Sequence, residues 1–146
     1  MVRINRDELF IRVALLFAKR STCIRGQVGV VAVKDKRIIA TGYNGSPSGL
    51  PHCSDGICNK EQGCVNSIHA EANLIAFSAG AGIALEGATL YCTHAPCKKC
   101  AELIVQSGIK GIKYLFPYRD TSGIDLLWEV NPKISVIRLS LNNIMI

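Results

Sequence analysis

Residues 66–77, Asn-Ser-Ile-His-Ala-Glu-Ala-Asn-Leu-Ile-Ala-Phe (NSIHAEANLIAF), place a histidine and a glutamate two positions apart at the start of an apolar run. From Ala72 onward this run predicts a helix that enters a core. If His69 and Glu71 only made a surface soluble, we would expect them on the polar stripe of an amphipathic helix, and this stretch has almost no such stripe. The pair therefore raises the question of what the core holds.

Composition narrows the class of protein. The 146 residues, 49% of them hydrophobic, are enough for one domain with its own core, expected to span residues 1–146. We find no apolar run long enough to cross a membrane and no secretory leader, so we expect an intracellular protein with no membrane partner. The net charge of +6 indicates an anionic partner, either a phosphate-bearing small molecule or a nucleic acid.

Seven cysteines in such a chain indicate something other than a set of disulfides. Their number is odd, and a reducing compartment disfavours disulfide bridges. Clustered cysteines therefore favour metal binding or catalysis, and isolated ones favour core packing. Cys92 lies inside a strand pattern and is predicted to be a small buried hydrophobic residue.

The pattern of apolar residues predicts an α/β protein. The predicted elements, in chain order, are a helix over 5–22, a β-hairpin of 27–33 and 37–43, an irregular segment over 44–64, a helix from about 69, a strand over 88–93, a helix over 97–107, a strand over 111–116, a helix over 122–129 and a strand over 133–139. Helices alternate with strands in the second half, which predicts parallel pairing there and a mixed sheet overall.

A second motif, THAPCKKCAEL over residues 93–103, contains two cysteines three positions apart at the start of a helix. This spacing points both thiols to one face. The helix N-terminus and the neighbouring Lys98 and Lys99 favour the thiolate form, which is the form that binds metals. Pro96 suits the start of the helix, where a missing N–H costs little. Two cysteines that merely share a helix face are the alternative when this motif is taken alone.

Together the two motifs predict a catalytic metal site. His69, Cys97 and Cys100 supply three zinc ligands and leave a fourth tetrahedral position open for water, as in catalytic zinc sites. Glu71 diverges from His69 along the helix, so we predict that it transfers protons beside the metal and does not bind it. A buried core histidine and a first-turn glutamate are the alternatives, and they do not explain the neighbouring cysteine motif.

The order His-Ala-Glu followed by Pro-Cys-Lys-Lys-Cys resembles the signature of zinc-dependent nucleobase deaminases. Over residues 21–49, 69–77, 86–110 and 114–120 the chain looks most like the deoxycytidylate (dCMP) deaminases, including phage and bacterial members. The stretch GYNGSP at residues 42–47 is the most discriminating feature. The resemblance implies a cytidine-deaminase-like three-layer α/β/α fold around a mixed five-stranded sheet.

The resemblance also implies the reaction: dCMP and water give dUMP and ammonia, which supplies dUMP for thymidylate synthesis. Zinc would activate the water, and Glu71 would move its protons to ring N3 and to the departing amine. The enzyme would then act in the cytoplasm, or in the host cytoplasm if a phage encodes it.

Substrate contacts follow from the same resemblance. The implied residues are Asn44 at the deoxyribose, Ala95 at the base through its backbone, and Arg25, Tyr118 and Arg119 at the phosphate. Bidentate arginine suits a phosphate dianion. The alternatives are a turn residue in left-handed conformation for Asn44 and ordinary solvated side chains for the two arginines.

Four further cysteines predict a second, structural zinc. Cys23, Cys53, Cys58 and Cys64 would complete a tetrahedral site that ties the irregular segment to the end of the first helix. The resemblance supports Cys23 and Cys53 best, and His52 is a possible substitute for one of the other two.

Regulation is implied by the resemblance as well. Related enzymes are homo-oligomers, often hexamers, activated by dCTP with magnesium and inhibited by dTTP. Gly42, Gly45 and Ser46 are the expected effector contacts, because glycines let backbone N–H groups approach a triphosphate. The alternative is that these glycines only shape a tight turn.

Two other classes of function compete with this interpretation. A deaminase that acts on polynucleotides is permitted by the charge, but the aromatic residues do not alternate with basic ones, so we expect no nucleic-acid partner. A zinc-binding module without activity would not explain Glu71 or the open fourth position.

Overall fold

The structure is a computed structural model that describes residues 1–56, 61, 66–130 and 132–140. Its elements, in chain order, are α1 (Arg6–Ala18), β1 (Gly29–Lys34), β2 (Arg37–Tyr43), a 3₁₀ turn (Cys53–Asp55), α2 (Ala70–Ala81), β3 (Thr89–His94), α3 (Lys98–Gln106), β4 (Gly111–Phe116), α4 (Ser122–Glu129) and β5 (Ser135–Arg138). Among these residues, no helix is long and apolar enough to cross a membrane.

In the described part of the chain, five strands form one sheet in the order β2-β1-β3-β4-β5. Strand β1 is antiparallel to both β2 and β3, whereas β3, β4 and β5 are parallel to one another. The predicted hairpin and mixed sheet are therefore confirmed. Parallel pairing follows from the helices α3 and α4, which return the chain to the same end of the sheet before each new strand.

Helices cover both faces of the sheet. On one face, α1 packs with Phe10 and Ile11 against Val31 and Tyr91. On the other, α2, α3 and α4 cover the apolar residues that alternate with these along the strands, such as Leu90. The three-layer α/β/α arrangement is thus confirmed.

Two helices differ from their predictions. Helix α1 is capped by Asn5 as expected, with Asn5 Oδ1 accepting from Glu8 N–H at 2.8 Å. It ends at Ala18 and not at 22, because the next backbone N–H groups bond three residues back and tighten the last turn. Helix α2 enters the core with its sheet side, as predicted, but its outer side is not buried, since Phe77 there is 56% exposed.

Candidate metal centre and adjoining cleft

Three predicted ligands meet at one end of the sheet. His69 Nδ1 lies 3.4 Å from Cys97 Sγ and 3.5 Å from Cys100 Sγ. Within the described residues, these three form the one cluster of potential metal ligands. In a tetrahedral zinc site, with bonds of about 2.0–2.1 Å to nitrogen and about 2.3 Å to sulfur, the histidine nitrogen and a cysteine sulfur lie about 3.5 Å apart. The residues, as they stand, fit a zinc ion.

Helix starts hold these ligands. His69 is the N-cap of α2 and Cys97 is the N-cap of α3, and neither side chain caps its own helix. Both are therefore free to face the metal, and the two helix N-termini direct positive partial charge toward the thiolates. Cys100 follows one turn into α3. Pro96 precedes the N-cap, so it lies just outside the helix and not at its first position.

The end of β2 and the turn that follows it fix the start of α2. A Cβ atom at Gly42 would lie 2.5 Å from the Ala70 carbonyl oxygen, so only glycine permits this close approach. Gly45 and Ile68 exchange two backbone hydrogen bonds of 3.2 and 2.9 Å just before His69. Asn73 Nδ2 then donates to the Tyr43 carbonyl at 2.8 Å. Gly42 and Gly45, two of the three residues predicted to contact an effector, thus also position His69, a predicted metal ligand.

Glu71 lies inside the protein beside these ligands, with 3% of its surface exposed. Burial raises the pKa of its carboxyl group, while its own backbone N–H, His69 and Cys100 act in the opposite direction. Burial, followed by Glu71 and Cys97, also raises the pKa of the Cys100 thiol. Three acidic groups so close together need a cation before they can all be charged.

One prediction about this cluster is corrected. Lys98 and Lys99 were expected to favour the thiolate form, but both are exposed and burial dominates at Cys100. Water screens the ammonium groups, so they do not offset the loss of solvation.

A cleft of about 360 Å³ opens over the metal centre, a volume within the range of small-molecule sites. The predicted substrate residues all line it together with His69, Glu71 and Cys97; they are Arg25, Asn44, Ala95, Tyr118 and Arg119. The structure therefore brings together residues up to 94 positions apart in the chain, from Arg25 to Arg119. Their contacts with a nucleotide stay a prediction.

The side-chain amide of Asn44 holds two segments of the cleft wall together. Its Oδ1 accepts from Val28 N–H and its Nδ2 donates to the Gly26 carbonyl, both at 2.8 Å. The amide thus joins the end of β2 to the segment that carries Arg25. Asn44 does not have a positive φ, so the alternative of a left-handed turn residue is wrong. One N–H and one lone pair of the amide remain for a ligand.

The second-zinc prediction falls partly outside the described residues. Thr22 Oγ1 lies 3.3 Å from His52 Nδ1, which brings the segment that ends in buried Cys53 beside Cys23. Cys23 also lines the cleft. Cys58 and Cys64 lie outside the described residues, so the four-cysteine site stays a prediction.

The three residues predicted to contact an effector lie away from the cleft wall, and Cys92 lies in the core. Gly42, Gly45 and Ser46 do not line the cleft. Ser46 Oγ is buried and has no hydrogen-bond partner in the described part of the chain. Cys92 is fully buried among apolar residues, as predicted.

His94, at the end of β3, also lines the cleft and was missed in the sequence. Its signal is visible afterwards: it is a polar residue at the end of an apolar strand, directly before the cysteine motif.

Comparison with known proteins identifies the family to which the chain belongs. Residues 4–116 match the family described as cytidine and deoxycytidylate deaminase zinc-binding region. The chain is 43% identical over 120 residues to ComE operon protein 2 of Bacillus subtilis, covering 82% of this chain and 64% of that protein. It is 41% identical over 127 residues to the deoxycytidylate deaminase of Mycobacterium phage D29, covering 78% and 97%. The chain thus spans a little under two thirds of the Bacillus protein.

A solved structure shares the whole architecture. The dCMP deaminase of cyanophage S-TIM5, determined in complex with dCMP and dUMP, superposes with a TM-score of 0.84 at 34% identity. The match covers 95% of this chain and 100% of the cyanophage chain.

Proposed function

Because the chain belongs to the cytidine and deoxycytidylate deaminase zinc-binding family, we propose that it catalyses the hydrolysis of dCMP to dUMP and ammonia. The observation that carries this proposal is a His-Cys-Cys cluster with zinc spacing beside buried Glu71, at the base of a cleft with two arginines. The phage D29 and cyanophage relatives, both named as deaminases of this nucleotide, support dCMP as the substrate. The product would supply thymidylate synthesis.

The chemistry divides between the metal and Glu71. His69, Cys97 and Cys100 would hold the zinc ion, which would supply a nucleophile near neutral pH by lowering the pKa of water. Glu71 would take both protons of that water in turn, passing the first to ring N3 and the second to the amino group at carbon 4, which would leave as ammonia. A buried carboxylate with a raised pKa holds a transferred proton more readily than an exposed one.

The other cleft residues orient the nucleotide. Arg25 and Arg119 pair with the 5′-phosphate and Tyr118 donates its hydroxyl to it. Asn44 uses its remaining amide capacity on the deoxyribose, and the Ala95 backbone contacts the base. Residues 1–146 act as one catalytic domain in this scheme.

Ammonia release tests the proposal. Purified protein is incubated with dCMP, CMP, deoxycytidine, dCTP and a cytosine-containing single-stranded oligonucleotide. We expect dCMP to be the preferred substrate. Turnover of the oligonucleotide without turnover of dCMP would replace this function by polynucleotide deamination.

A second zinc ion, held by Cys23, Cys53, Cys58 and Cys64 with His52 as a substitute ligand, is part of the proposal. The hydrogen bond between Thr22 and His52 supports it, because it brings two of the four cysteine-bearing segments together.

Assembly and regulation complete the proposal. The outer sides of α2, α3 and α4 each expose one large apolar side chain: Phe77 (56%), Leu103 (44%) and Trp128 (52%). Such apolar surface supports a homo-oligomer. The resemblance to the dCMP deaminases favours a hexamer. The proposed effectors are dCTP with magnesium as activator and dTTP as inhibitor.

The end of β2 and the turn after it support regulation. Gly42 in β2 contacts the start of α2, and the turn contains the buried hydroxyl of Ser46, which has no hydrogen-bond partner within the described residues. Light scattering tests the assembly. Velocity against dCMP should be sigmoidal, dCTP should make it hyperbolic, and dTTP should oppose that shift; a curve indifferent to both would remove regulation.

A further inference from the structure

His94 is a cleft residue to which the scheme above gives no role. It is the last residue of β3 and stands opposite Phe116, the last residue of the parallel strand β4. The two rings pack together with their centroids 5.1 Å apart and their planes inclined by 46°. The chain then continues from Phe116 to Tyr118 and Arg119, which line the same cleft. His94 is therefore held beside the segment that carries the proposed phosphate ligands.

A chain of hydrogen bonds favours one tautomer of the His94 ring. Thr93 is 1% exposed, and its Oγ1 accepts from Gly29 N–H at 3.1 Å. The same oxygen lies 2.9 Å from His94 Nδ1. Within the described residues, Nδ1 is the one acceptor recorded for this hydroxyl, so we assign the hydroxyl hydrogen to this contact. Nδ1 is then an acceptor, and the proton of the ring lies on Nε2.

Burial lowers the pKa of His94 from its ordinary value, so the ring stays uncharged at neutral pH. An uncharged histidine with an occupied Nδ1 has a single donor left, Nε2–H. Because Nδ1 is turned toward the buried Thr93 hydroxyl, the Nε2 edge is the part of the ring that remains for the cleft.

We propose that His94 is a specificity-determining residue whose Nε2–H donates a hydrogen bond to the phosphate of the bound nucleotide. This inference rests on the proposed function and names a further residue of the same site. A phosphate dianion presents three terminal oxygens with several lone pairs each, more than Arg25, Arg119 and Tyr118 can satisfy even when both arginines bind bidentately. A donor fixed by the buried Thr93 pays little conformational entropy on binding, unlike a long arginine side chain.

Three variants separate the donor from the ring and from the Thr93 contact. His94→Phe keeps a ring against Phe116 and removes both nitrogens. His94→Asn keeps a polar group near the position of Nδ1, within reach of Thr93, and removes the cleft donor. His94→Gln places an amide N–H near the position of Nε2. Phe116→Leu serves as the control, because it weakens the ring contact and leaves the donor in place.

The measured quantities are kcat/KM for dCMP and for deoxycytidine, the dissociation constant of dUMP by calorimetry, and zinc content. Loss of a hydrogen bond to a charged group should lower kcat/KM for dCMP about 10- to 100-fold in His94→Phe and His94→Asn. The loss with deoxycytidine should be smaller, so the preference for the nucleotide falls, and dUMP binding should weaken in parallel. His94→Gln should recover most of the preference for the nucleotide and most of the dUMP affinity. Phe116→Leu should keep the wild-type preference for the nucleotide.

Other outcomes overturn the inference. Equal losses on nucleotide and nucleoside, or a change of preference in Phe116→Leu as large as in His94→Phe, would make His94 a packing residue. Zinc loss in all three variants would make it a structural support of the metal centre. A wild-type protein that neither deaminates dCMP nor binds dUMP refutes the proposed function itself. An active wild type matched by all three variants refutes the role of His94 alone.

Discussion

Gly123, the second residue of α4, lies directly against the carbonyl oxygen of Pro96: a Cβ atom at Gly123 would be 2.2 Å from that oxygen and 2.7 Å from the carbonyl carbon of Cys97. No real contact is that short, so the backbone before a metal ligand and the start of α4 can meet only where a side chain is missing. The loop that carries Tyr118 and Arg119 ends at this contact. Gly123 thus sets the distance between the metal centre and the far wall of the cleft.

Gly123→Ala should move α4 away from the cysteine motif. We expect a stability loss of about 1–3 kcal/mol, as for other overpacked sites, together with weaker zinc retention and lower activity. The matched control is Gly80→Ala in α2, where a Cβ atom meets nothing within 4 Å and helix propensity favours alanine. Thermal unfolding, zinc content and kcat/KM compare the two. Equal behaviour of both variants would show that the Pro96 backbone yields without cost.

Glu71→Gln should keep its zinc and lose its turnover. The amide is nearly the same size as the carboxylate but cannot take a proton from water, and a general acid–base residue contributes about 10²–10⁴-fold. Steady-state kinetics measure the turnover, and elemental analysis of the same preparation measures the zinc content. Activity close to the wild type would take Glu71 out of the mechanism.

Elemental analysis should find about two zinc ions per chain, from one catalytic and one structural site. Cys97→Ser should lose the first zinc together with activity. Cys53→Ser should lose the second zinc and much of the stability, since Cys53 is buried. Only one zinc in the wild-type protein would leave the prediction for Cys23, Cys53, Cys58 and Cys64 wrong.

Arg119→Ala should raise KM for dCMP far more than it affects deoxycytidine. The expected loss is roughly 1.5–3 kcal/mol, as for a hydrogen bond to a charged group. Arg37→Ala, on the exposed start of β2, is the control for loss of positive charge alone. If both substrates suffer equally in Arg119→Ala, this arginine does not contact the phosphate.

Stability should depend on pH through Asp7, which ties α1 to the sheet. Lys113 Nζ donates to both of its carboxylate oxygens at 2.8 and 2.9 Å, and Tyr91 donates its hydroxyl at 2.6 Å. Burial works to raise the pKa of Asp7, but these bonds outweigh it, and the net pKa lies below its ordinary value. A carboxyl group of this kind stabilises the fold above its unfolded pKa of about 4 and loses that contribution as the pH falls through its lower folded pKa.

Asp7→Asn should therefore destabilise the protein near neutral pH, and the difference from the wild type should shrink below about pH 4. Urea unfolding over a pH series measures it. Lys113→Met should remove part of the same pH dependence, because it takes away one of the bonding partners. A difference that stays constant down to low pH would mean that the charge of Asp7 is not what stabilises the contact.

Local signals in the sequence predicted most of the elements and the three residues of the candidate metal site. Strand β4 and helix α4 have the predicted bounds, because turn residues border each of them, and His69, Cys97 and Cys100 meet as their motifs indicate. The contacts of Gly123 with Pro96 and of His94 with Phe116 were not predictable in this way. Each joins residues more than twenty positions apart, and their partners are decided by how helices and strands pack, not by any neighbouring residue.

The exposed side of α2 escaped prediction for a related reason. Its sequence is apolar on nearly every side, so periodicity could not distinguish the face that packs on the sheet from the outer one that carries Phe77.

The predicted metal ligands and the two arginines proposed to bind the phosphate belong to different kinds of backbone. His69 and Cys97 stand at the starts of helices fixed to the sheet, whereas Arg25 and Arg119 lie in segments without regular structure. Substitutions in these short loops therefore change the walls of the cleft and leave the candidate metal site in place. A mutant library confined to residues 24–27 and 117–120 should yield variants that accept new aminopyrimidines and still carry a full complement of zinc.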